Sequence, residues 1–571
     1  MTRRWIPAAS GASQIARMQP RNTPLRRLWI VVLVSLGPAL GACSSQPDQV
    51  GSRSWPAGTS PVQGGSFSLA QDSPSVLDPA QLDDSYEAAI VNQLFDGLLS
   101  YDDNLNTIPC LAESWTISED GRRYTLRLKD GVRFHDGSDL SSEDVVYSLS
   151  RVFRLDPQRS VLAREYLAHI GGTEQYAGGD AATVEGLEAI DRLSVRISLE
   201  QPYTSFLSVL ASEMARIVPK AYVERVGDEE FGRRPVGSGP FSFAEWKPEE
   251  RIVLVRFPDY HAGAAPLDSI IFELPDVGHR DYAVSRFLEG KLCGIEVPPN
   301  RLEEFRKNPN IRIHARQELS LGYMALNLGK FPFDDPLVRQ AFLLAADPKA
   351  LCSLFEGGRL APTGVLPPGM PGYDPAVKLP AHDLERAREL LAQAGYPMGE
   401  DLPAIVHASA NESESERQLH RELARQVAEA GFELITVYMN WLEFDRRIRR
   451  GEFDAFSLGW VADLPDPASF LDPLFHSAGS NNLHRYRNPE VDLLLEEGRR
   501  SRSNQRRWEL YREAERLILS DAPIVPLYHA MSVIAVRARV RGFAITPLGI
   551  GNLNMERVWF DRRDSTPEVA R

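Results

Sequence analysis

The sequence predicts an α/β fold in which helices pack on mixed β-sheets. Strand patterns and helix patterns both occur along the whole chain, without the strict strand–helix–strand alternation of an all-parallel sheet. No repeat of about 20–50 residues is present, which argues against solenoid and propeller architectures. The 571 residues are 43% hydrophobic and 25% charged, as in ordinary folded proteins, and they suffice for several structural units.

The N-terminal segment has the pattern of a secretory signal. Arginines precede the apolar run 28–34, and small residues follow it. This run is shorter than the ~20 residues that span a bilayer. Leu40–Cys43 then resembles a bacterial lipobox, in which the cysteine thiol receives a lipid before cleavage. We therefore predict a lipoprotein signal peptide at 1–42 and lipidation of Cys43; a plain signal peptide and a translation start at Met18 are the alternatives.

Residues 43–65 are rich in Ser, Pro, Gly and Gln, a composition that predicts a flexible tether. Buried acyl chains contribute about 0.8 kcal/mol per CH₂ group, so a lipid on Cys43 would hold a soluble domain at a membrane surface. The predicted location is the cell envelope, in the periplasm or on the outer face of the membrane. The protein would be lipid-anchored there without spanning the membrane.

Strand patterns are clearest at 123–128, 193–197 and 252–255, where apolar side chains alternate or run continuously. The Asp-Gly pair at 120–121 predicts a turn beside the first of them. Gly237-Ser238-Gly239 predicts a bend in which a Cβ atom does not fit. This segment lacks the spacing of a phosphate-binding loop, so we interpret it as architectural.

Three helices are predicted from apolar stripes with helical spacing. Ser141 and Asp144 resemble a capping box that opens the first helix. The second helix, 384–394, ends at Gly395, which is a natural C-terminal stop. The third helix covers 506–519 and ends before an Asp-Ala-Pro sequence.

The charge balance argues against one class of partner. The formal net charge is −14, and all acidic residues lie from Asp48 onward. Non-specific nucleic-acid binding needs clustered Lys and Arg side chains that face phosphates. We therefore predict that the protein does not bind nucleic acid.

The four cysteines stand at positions 43, 110, 293 and 352, and no CxxC pair occurs. Their wide spacing matches no zinc or redox motif. Free cysteines in folded proteins are mostly buried and behave as small apolar side chains. We interpret Cys110, Cys293 and Cys352 as core residues, and the sequence predicts neither a metal site nor a cofactor.

The stretch Asn106–Arg151 carries the strongest resemblance to a known family. Within it, Ile108–Trp115 leads to Gly131–Gly137 and then to Ser142–Val145. This order resembles the signature of family 5 extracellular solute-binding proteins, the peptide and nickel binders of ABC importers. Further blocks follow the family's order over about 70–550: Leu77-Asp78-Pro79, Phe95–Leu98, Pro235–Phe241, Phe333–Phe342, Leu390–Pro397, Gly459–Asp463 and Ala522–Leu527.

The resemblance implies a two-lobed fold like that of the periplasmic binding proteins (type II, cluster C), with an additional subdomain and two interlobe hinges. The solute-binding domain would cover 66–550. The implied parts are lobe I at about 60–85, 216–316 and 526–571, the additional subdomain at about 86–215, and lobe II at about 317–525.

The same resemblance implies the extracytoplasmic substrate-binding component of an ABC transporter. Such a protein would capture short peptides in the cleft between its lobes and close around them. It would then deliver them to a complex of permease and ATPase. We expect a monomer that uses no cofactor and catalyses no reaction.

In peptide binders of the family, an Asp shortly after a Gly-Trp pair holds the α-ammonium group of the peptide. Asp463 is the matching residue here. The role is chemically sensible because a buried cation needs an anionic partner, and a charge-assisted hydrogen bond contributes about 1.5–3 kcal/mol. A turn residue is the alternative for Asp463, and it is our interpretation of Asp466.

Trp460 and Trp441 match family positions that line side-chain pockets. Aromatic walls accept many side chains because apolar contact is undirected. Gly459 and Tyr323 are expected at the same cleft, together with the loop 73–76. Packing in the core is the alternative for Trp441.

Three other functions stay open. The same fold could bind a nickel chelate, an opine or an oligosaccharide, with His476 and His484 near the site, although surface-loop histidines are the commoner case. An enzyme is disfavoured because the chain lacks a GxSxG, HExxH or SxxK constellation with partners. The third is a lipoprotein sensor or scaffold that keeps the fold without transport.

Overall fold

The computed structural model describes residues 61–82, 84–275, 279–298, 301–355 and 357–561. The predicted signal peptide and the lipidation site Cys43 lie outside these residues. Of the predicted tether, Gly64 donates its N–H to the carbonyl of Pro266 at 2.9 Å. Gly65 donates its N–H to the Asp268 carboxylate at 2.8 Å. The end of the predicted tether is therefore fixed against the folded body, just before the first strand.

The strands are numbered along the chain. They are β1 (Ser66–Ala70), β2 (Leu99–Tyr101), β3 (Thr107–Pro109), β4 (Ala112–Ile117), β5 (Arg123–Leu128), β6 (Leu187–Asp191), β7 (Ser194–Ser198), β8 (Phe241–Lys247), β9 (Arg251–Arg256), β10 (Ser269–Glu273), β11 (Gly294–Glu296), β12 (Ile311–Gln317), β13 (Ser320–Leu326), β14 (Arg359–Leu360), β15 (Ile405–Ser409), β16 (Leu434–Tyr438), β17 (Ala455–Val461), β18 (Ile524–Arg537), β19 (Val540–Arg541) and β20 (Trp559–Phe560).

The helices are numbered in the same way. They are α1 (Ser85–Leu94), α2 (Ser142–Arg151), α3 (Val161–Leu167), α4 (Thr173–Gly178), α5 (Phe206–Ala211), α6 (Lys220–Val226), α7 (Asp228–Arg233), α8 (His279–Leu288), α9 (Leu302–Arg306), α10 (Pro336–Ala345), α11 (Pro348–Ser353), α12 (Leu384–Gln393), α13 (Glu414–Ala428), α14 (Trp441–Arg449), α15 (Ala468–Phe475), α16 (Pro489–Arg500) and α17 (Asn504–Asp521). In the described part of the chain, none of them has the length and apolar character that crossing a membrane requires.

Two four-stranded sheets are built mainly from the first half of the chain. One has the order β1-β10-β9-β8, with β1 parallel to β10 and the other pairs antiparallel. The other has the order β4-β5-β7-β6 and is antiparallel throughout. Strands β5, β7 and β9 agree within one residue with the three strands that the sequence predicts. The alternation in β5 buries Tyr124, Leu126 and Leu128, as expected of a sheet with one covered face.

The largest sheet has eight strands. Its main order is β11-β18-β13-β17-β15-β16, and β12 and β14 also pair with β18. Strand β15 is parallel to β16 and β17, whereas β13 is antiparallel to β17 and β18. The parallel strands are connected by α13 and α14, so this half of the sheet is an α/β unit with helices between its strands.

Strand β18 runs through two parts of this large sheet. Its residues 524–528 pair with β13, whereas residues 531–537 pair with β12. At the junction the ring Nδ1 of His529 lies 2.7 Å from the carbonyl oxygen of Ser320, and Ala530 donates its N–H to the Ser320 hydroxyl at 3.0 Å. Strand β12 continues into β13 at the same place. The β12–β13 junction and the middle of β18 therefore lie side by side. Two adjacent connecting segments are what a pair of interlobe hinges requires.

The helix predictions are confirmed in their essentials. Ser141 and Asp144 form the capping box of α2, with both reciprocal contacts present. Gly395 follows α12 with φ of +97°, the left-handed conformation that ends many helices. The third predicted helix corresponds to α17, which extends two residues beyond the predicted 506–519 at each end.

The predicted bend at Gly237 and Gly239 is also confirmed. A Cβ atom on Gly237 would lie 2.0 Å from the carbonyl oxygen of Leu94, and one on Gly239 would lie 2.6 Å from that of Gln93. Both distances are far shorter than a van der Waals contact, so only glycine allows this backbone to approach the end of α1.

The three described cysteines, Cys110, Cys293 and Cys352, are buried and unbridged. This confirms their interpretation as interior residues. Burial raises the pKa of the Cys352 thiol to about 11, so this thiol stays protonated at neutral pH.

Candidate functional site

The candidate site lies at the carboxyl ends of the parallel strands β15, β16 and β17. Helix α13 follows β15, and α14 follows β16. Because β16 and β17 lie on opposite sides of β15, the two connections leave the sheet in opposite directions. Such a switch point opens a crevice outside the carboxyl ends of the strands, where α/β proteins commonly bind ligands.

A pocket of about 370 Å³ occupies this crevice. Three of the sequence-predicted site residues, Tyr323, Trp441 and Gly459, line it together. The Trp441 side chain begins α14, is 60% exposed, and packs its ring 5.7 Å from that of Phe444. Gly459 leaves open space where a Cβ atom would stand, so a ligand backbone can approach β17 at this point.

The acidic wall of the pocket is neutralised by the protein itself. Glu416 lines the pocket and forms an ion pair with Arg359. The Arg359 guanidinium also stacks 4.1 Å from the ring centre of Tyr528, another lining residue. Glu412, the other acidic residue of the lining, forms an ion pair with Arg417 at 2.8 Å. Because both carboxylates are already paired, the pocket presents mainly aromatic and neutral polar surface.

One edge of β17 is left without a strand partner next to the pocket. Along one side, all of β17 pairs with β13. Along the other side, β15 pairs only with Ala455 and Phe456. Within the described residues, no strand covers this second edge over 457–461. The free N–H and C=O groups there can accept an extended peptide as an additional strand.

Asp463 follows β17 at the same end of the sheet. Its side chain accepts a hydrogen bond of 3.0 Å from the Tyr166 hydroxyl, which comes from α3. In the described part of the chain, no Lys, Arg or His forms an ion pair with this carboxyl group. Burial, followed by the negative charge of Glu213, raises the pKa of Asp463 to about 8, although the Tyr166 hydrogen bond lowers it.

Two further carboxyl groups lie close enough to Asp463 to affect its charge. Burial raises the pKa of Glu213 and of Glu165. The Ser480 hydroxyl donates a hydrogen bond to Glu165. Three carboxyl groups therefore share a shielded region in which like charges repel, and a ligand cation would relieve this repulsion.

Sequence reasoning missed Tyr166, Glu165 and Glu213 because nothing local marks them. They come from a helix and a short turn that precede Asp463 by about 250–300 residues. Only the packing of these segments against the end of β17 reveals their proximity. A charge pattern along the sequence could not have found them.

The role of Trp460 in lining a side-chain pocket stays a prediction. Trp460 does not line the described pocket; its ring N–H donates to the carbonyl of Ser469 at 2.7 Å. The half-buried side chain thus fastens the segment that follows Asp463. The loop 73–76 is likewise absent from the lining of this pocket, and Ser75 donates two hydrogen bonds to Glu87.

Asp466 is a structural residue, in keeping with its interpretation as a turn aspartate. It accepts the N–H of Ala468 at 3.0 Å, ahead of α15. It also forms a buried ion pair with Arg507 at 2.7 Å, and Arg507 donates to the Ser205 hydroxyl. Since its carboxylate is already occupied, Asp466 is a poor competitor for a ligand amine.

The histidines near the site do not form a metal centre. His484 is only 1% exposed, with its ring 5.5 Å from that of Phe475. The expectation of surface-loop histidines is therefore wrong for this residue, because aromatic packing draws the imidazole into the core. His476 lies 3.6 Å from Glu496. Among the described residues, neither histidine belongs to a cluster with metal-ligand geometry.

The chain is similar to known proteins over most of its length. The sequence pattern of the bacterial extracellular solute-binding proteins, family 5 (middle), matches residues 106–482. Heme-binding protein A of Haemophilus influenzae is 30% identical over 488 residues, covering 81% of this chain and 86% of that protein. Di/tripeptide-binding protein 1 of Pseudomonas aeruginosa is 27% identical over 507 residues, covering 85% and 92%.

A solved structure gives the same picture. The ABC transporter-associated periplasmic binding protein DppA of Helicobacter pylori, in complex with the peptide STSA, matches with a TM-score of 0.77 and 27% sequence identity. The match covers 88% of this chain and 99% of that chain.

Proposed function

The chain belongs to the bacterial extracellular solute-binding proteins of family 5, and on this premise we propose that it captures short peptides for an ABC importer. The predicted family and the predicted two-lobed fold are both confirmed. In the proposed cycle, a peptide binds between the lobes, closure buries it, and the closed protein docks on a membrane permease. The ligand favours closure only through its higher affinity for the closed state.

The observation that carries the proposal is the uncompensated carboxyl group of Asp463. A shielded carboxylate without a cation is costly, which is why its pKa is raised to about 8. An α-ammonium group placed against it would supply the missing positive charge. The ammonium would also lower the pKa of Asp463, so binding would release a proton from this group near neutral pH.

The pocket and the open edge of β17 provide the remaining contacts. Hydrogen bonds to the free backbone groups at 457–461 would bind a peptide main chain without regard to its sequence. The aromatic pocket beside Trp441 would receive a side chain through undirected apolar contact. Together these features favour a peptide over a solute that lacks a backbone.

Calorimetry with unmodified and N-acetylated tripeptides tests the proposal. Asp463→Asn keeps the shape of the side chain and its contact with Tyr166 but removes the charge, so the affinity for free tripeptides should fall at least about tenfold. N-acetylation of the peptide should have a similar effect on the unmodified protein. Asp445→Asn, which removes an ion pair of α14 away from the pocket lining, is the matched control.

Peptide affinities test the role of Asp463, and mass spectrometry identifies the bound solute. If acetylated and free peptides bind equally well to both proteins, Asp463 is not the amine anchor. Native mass spectrometry of gently purified protein, followed by denaturation, identifies the carried solute directly. A ladder of small peptide masses supports peptide capture, whereas one non-peptide mass reassigns the substrate.

We also propose that the protein is anchored by a lipid on Cys43, which lies outside the described residues. The small residues before this cysteine and the apolar run 28–34 support this. A Cys43→Ser variant should lose the mass of the acyl chains and leave the membrane fraction. A variant that stays with the membrane would argue against lipid anchoring.

A further inference from the structure

Asp96, Cys110 and His261 form a compact cluster outside the proposed peptide site. One potential ligand atom from each lies within 4.8 Å of the other two. The residues come from three separate segments: Asp96 follows α1, Cys110 lies between β3 and β4, and His261 follows β9. None of them lines the pocket beside Trp441.

The cluster is shielded from water. Asp96 is 7% exposed and Cys110 is 8% exposed. The His261 side chain is 7% exposed, and its Nε2 lies 2.7 Å from the Asp96 carboxylate. The Tyr260 hydroxyl also donates a hydrogen bond to the Asp96 carboxylate at 3.4 Å. Neither contact involves the Cys110 thiol, which lies beside the same pair.

Two donor atoms in this cluster lack a protein partner among the described residues. The buried Nδ1 of His261 has none, and the Cys110 thiol makes no hydrogen bond. Buried polar atoms of folded proteins usually have a partner. The ring nitrogen that faces Asp96 is Nε2, so the group left without a partner beside this carboxylate is the Cys110 thiol.

The backbone holds these side chains in place. Ile217 donates its N–H to the Asp96 carbonyl at 2.9 Å, and Cys110 donates its N–H to the Leu98 carbonyl at 3.3 Å. The ring of Tyr260 packs 4.6 Å from that of His261. Prepared geometry of this kind lowers the cost of arranging ligands around an ion.

We propose that Asp96, Cys110 and His261 bind a single thiophilic divalent cation, with Zn²⁺ as the ion that best fits the donor set. Zn²⁺ is bound in proteins by Cys sulfur at about 2.3 Å and by His nitrogen and Asp oxygen at about 2.0–2.2 Å. A modest contraction brings atoms that lie within 4.8 Å of one another to such distances. Ca²⁺ and Mg²⁺ fit poorly because they prefer oxygen ligands.

The binding step balances in protons. The S–H bond of Cys110 is replaced by an S–Zn bond, and the thiol proton passes to solvent. The His261 imidazole coordinates through Nε2, the nitrogen that faces Asp96, and its ring proton moves to Nδ1. The hydrogen bond between Nε2 and Asp96 is replaced by two bonds to the ion, one from Nε2 and one from an Asp96 carboxylate oxygen. Because the Cys110 thiol must lose its proton and the His261 imidazole must stay neutral, metal affinity should fall as the pH is lowered.

Such an ion would join two parts of the molecule. Asp96 and Cys110 belong to the segment that the family resemblance assigns to the additional subdomain, whereas His261 belongs to the segment assigned to lobe I. The ion would fasten these segments to each other. Binding of the ion does not depend on the identity of the captured solute, and it departs from the sequence-based expectation that the protein has no metal site.

Cobalt titration of the untagged full chain, stripped with a chelator, tests the proposal. One equivalent of Co²⁺ should produce a thiolate-to-cobalt charge-transfer band together with the visible bands of tetrahedral Co²⁺, and Zn²⁺ should displace both. Cys110→Ser should abolish the charge-transfer band and raise the Co²⁺ dissociation constant at least about 100-fold, since loss of an outer-shell partner alone costs tenfold to 100-fold. Cys352→Ser removes a buried free thiol elsewhere and is the matched control.

His261→Gln and Asp96→Asn provide independent variants if Cys110→Ser fails to fold. Circular dichroism checks their folding, and each should weaken Co²⁺ binding while Cys352→Ser leaves it unchanged. Zn²⁺ should also raise the Tm of the unmodified protein and not that of the variants. Absence of the charge-transfer band in folded, unmodified protein, or its persistence in Cys110→Ser, would overturn the proposal.

Discussion

The charge state of Asp463 gives a prediction about stability that requires no ligand. In the folded protein its pKa is raised from 3.8 to about 8. A native carboxyl that holds its proton up to about pH 8, while the unfolded chain loses it near pH 4, makes the folded state less stable as the pH rises between these values. Asn cannot ionise, so Asp463→Asn should remove this loss.

The size of the effect follows from the shift. Four pH units at about 1.4 kcal/mol each set an upper limit of about 6 kcal/mol. The Asp463 side chain is half-buried, so water screens part of its repulsion with the neighbouring carboxylates. We therefore expect the free energy of unfolding to change by about 1–3 kcal/mol. The variant should match the unmodified protein near pH 4 and exceed its free energy of unfolding by this amount near pH 8.

Urea denaturation at about pH 4, 6 and 8, without peptide, measures the difference. The comparison is specific because Asn can still accept the hydrogen bond of Tyr166. Asp445→Asn, whose exposed ion pair contributes little, should show no such growth with pH. If Asp463→Asn and the unmodified protein had equal free energies of unfolding at pH 8, this reasoning would be refuted. The result would mean that other groups of the protein compensate the Asp463 charge.

Three further substitutions probe the pocket and the scaffold. Trp441→Ala should weaken the binding of peptides with large apolar side chains about tenfold in calorimetry while leaving Tm nearly unchanged, because the side chain is 60% exposed. Gly237→Ala should destabilise the protein by several kcal/mol in urea, or prevent folding, because its Cβ would lie 2.0 Å from the Leu94 carbonyl oxygen. Arg507→Met should lower the free energy of unfolding by about 3–5 kcal/mol, because it leaves the Asp466 carboxylate buried without a cation.

Each of these substitutions has a control on a comparable element. Leu442→Ala removes an 80% exposed neighbour of Trp441 that does not line the pocket, so it should not alter affinity. Gly178→Ala adds a Cβ whose nearest neighbour is 3.5 Å away and should be tolerated. Arg425→Met breaks two ion pairs at the surface, with Glu422 and Glu429, and should change stability by less than about 1 kcal/mol. Effects of equal size in a variant and its control would contradict the steric or electrostatic cause assigned to that variant.

Local elements were predictable because their causes lie within a few residues. The alternation at 123–128, the capping box of Ser141 and Asp144, and the glycine after α12 each depend on contacts between near neighbours. The tight bend at Gly237 was also visible, since a Gly-Ser-Gly sequence permits a backbone approach that other residues forbid. The exact ends of α17 were not, because packing against other elements extends a helix beyond its local signals.

The candidate site was predictable only in part. The family blocks brought Tyr323, Trp441 and Gly459 forward, and the structure places all three around one pocket. The sequence did not indicate that the ring N–H of Trp460 donates a hydrogen bond to the carbonyl of Ser469. Nor did it indicate that His484 would be buried against aromatic rings. Side-chain direction depends on what packs above a strand or loop, which spacing along the chain does not encode.

The sequence by itself therefore determined the family, the α/β character of the lobes and the carboxylate at position 463, because each of these is recorded in short contiguous patterns. Only the tertiary structure decided which groups meet across long stretches of chain. It brought Glu165 and Glu213 toward Asp463, and it assembled the cluster that includes Cys110. These contacts between residues distant in sequence depend on how helices and sheets pack against one another. Electrostatic and metal-binding properties depend on distances in space, so they are determined at that level.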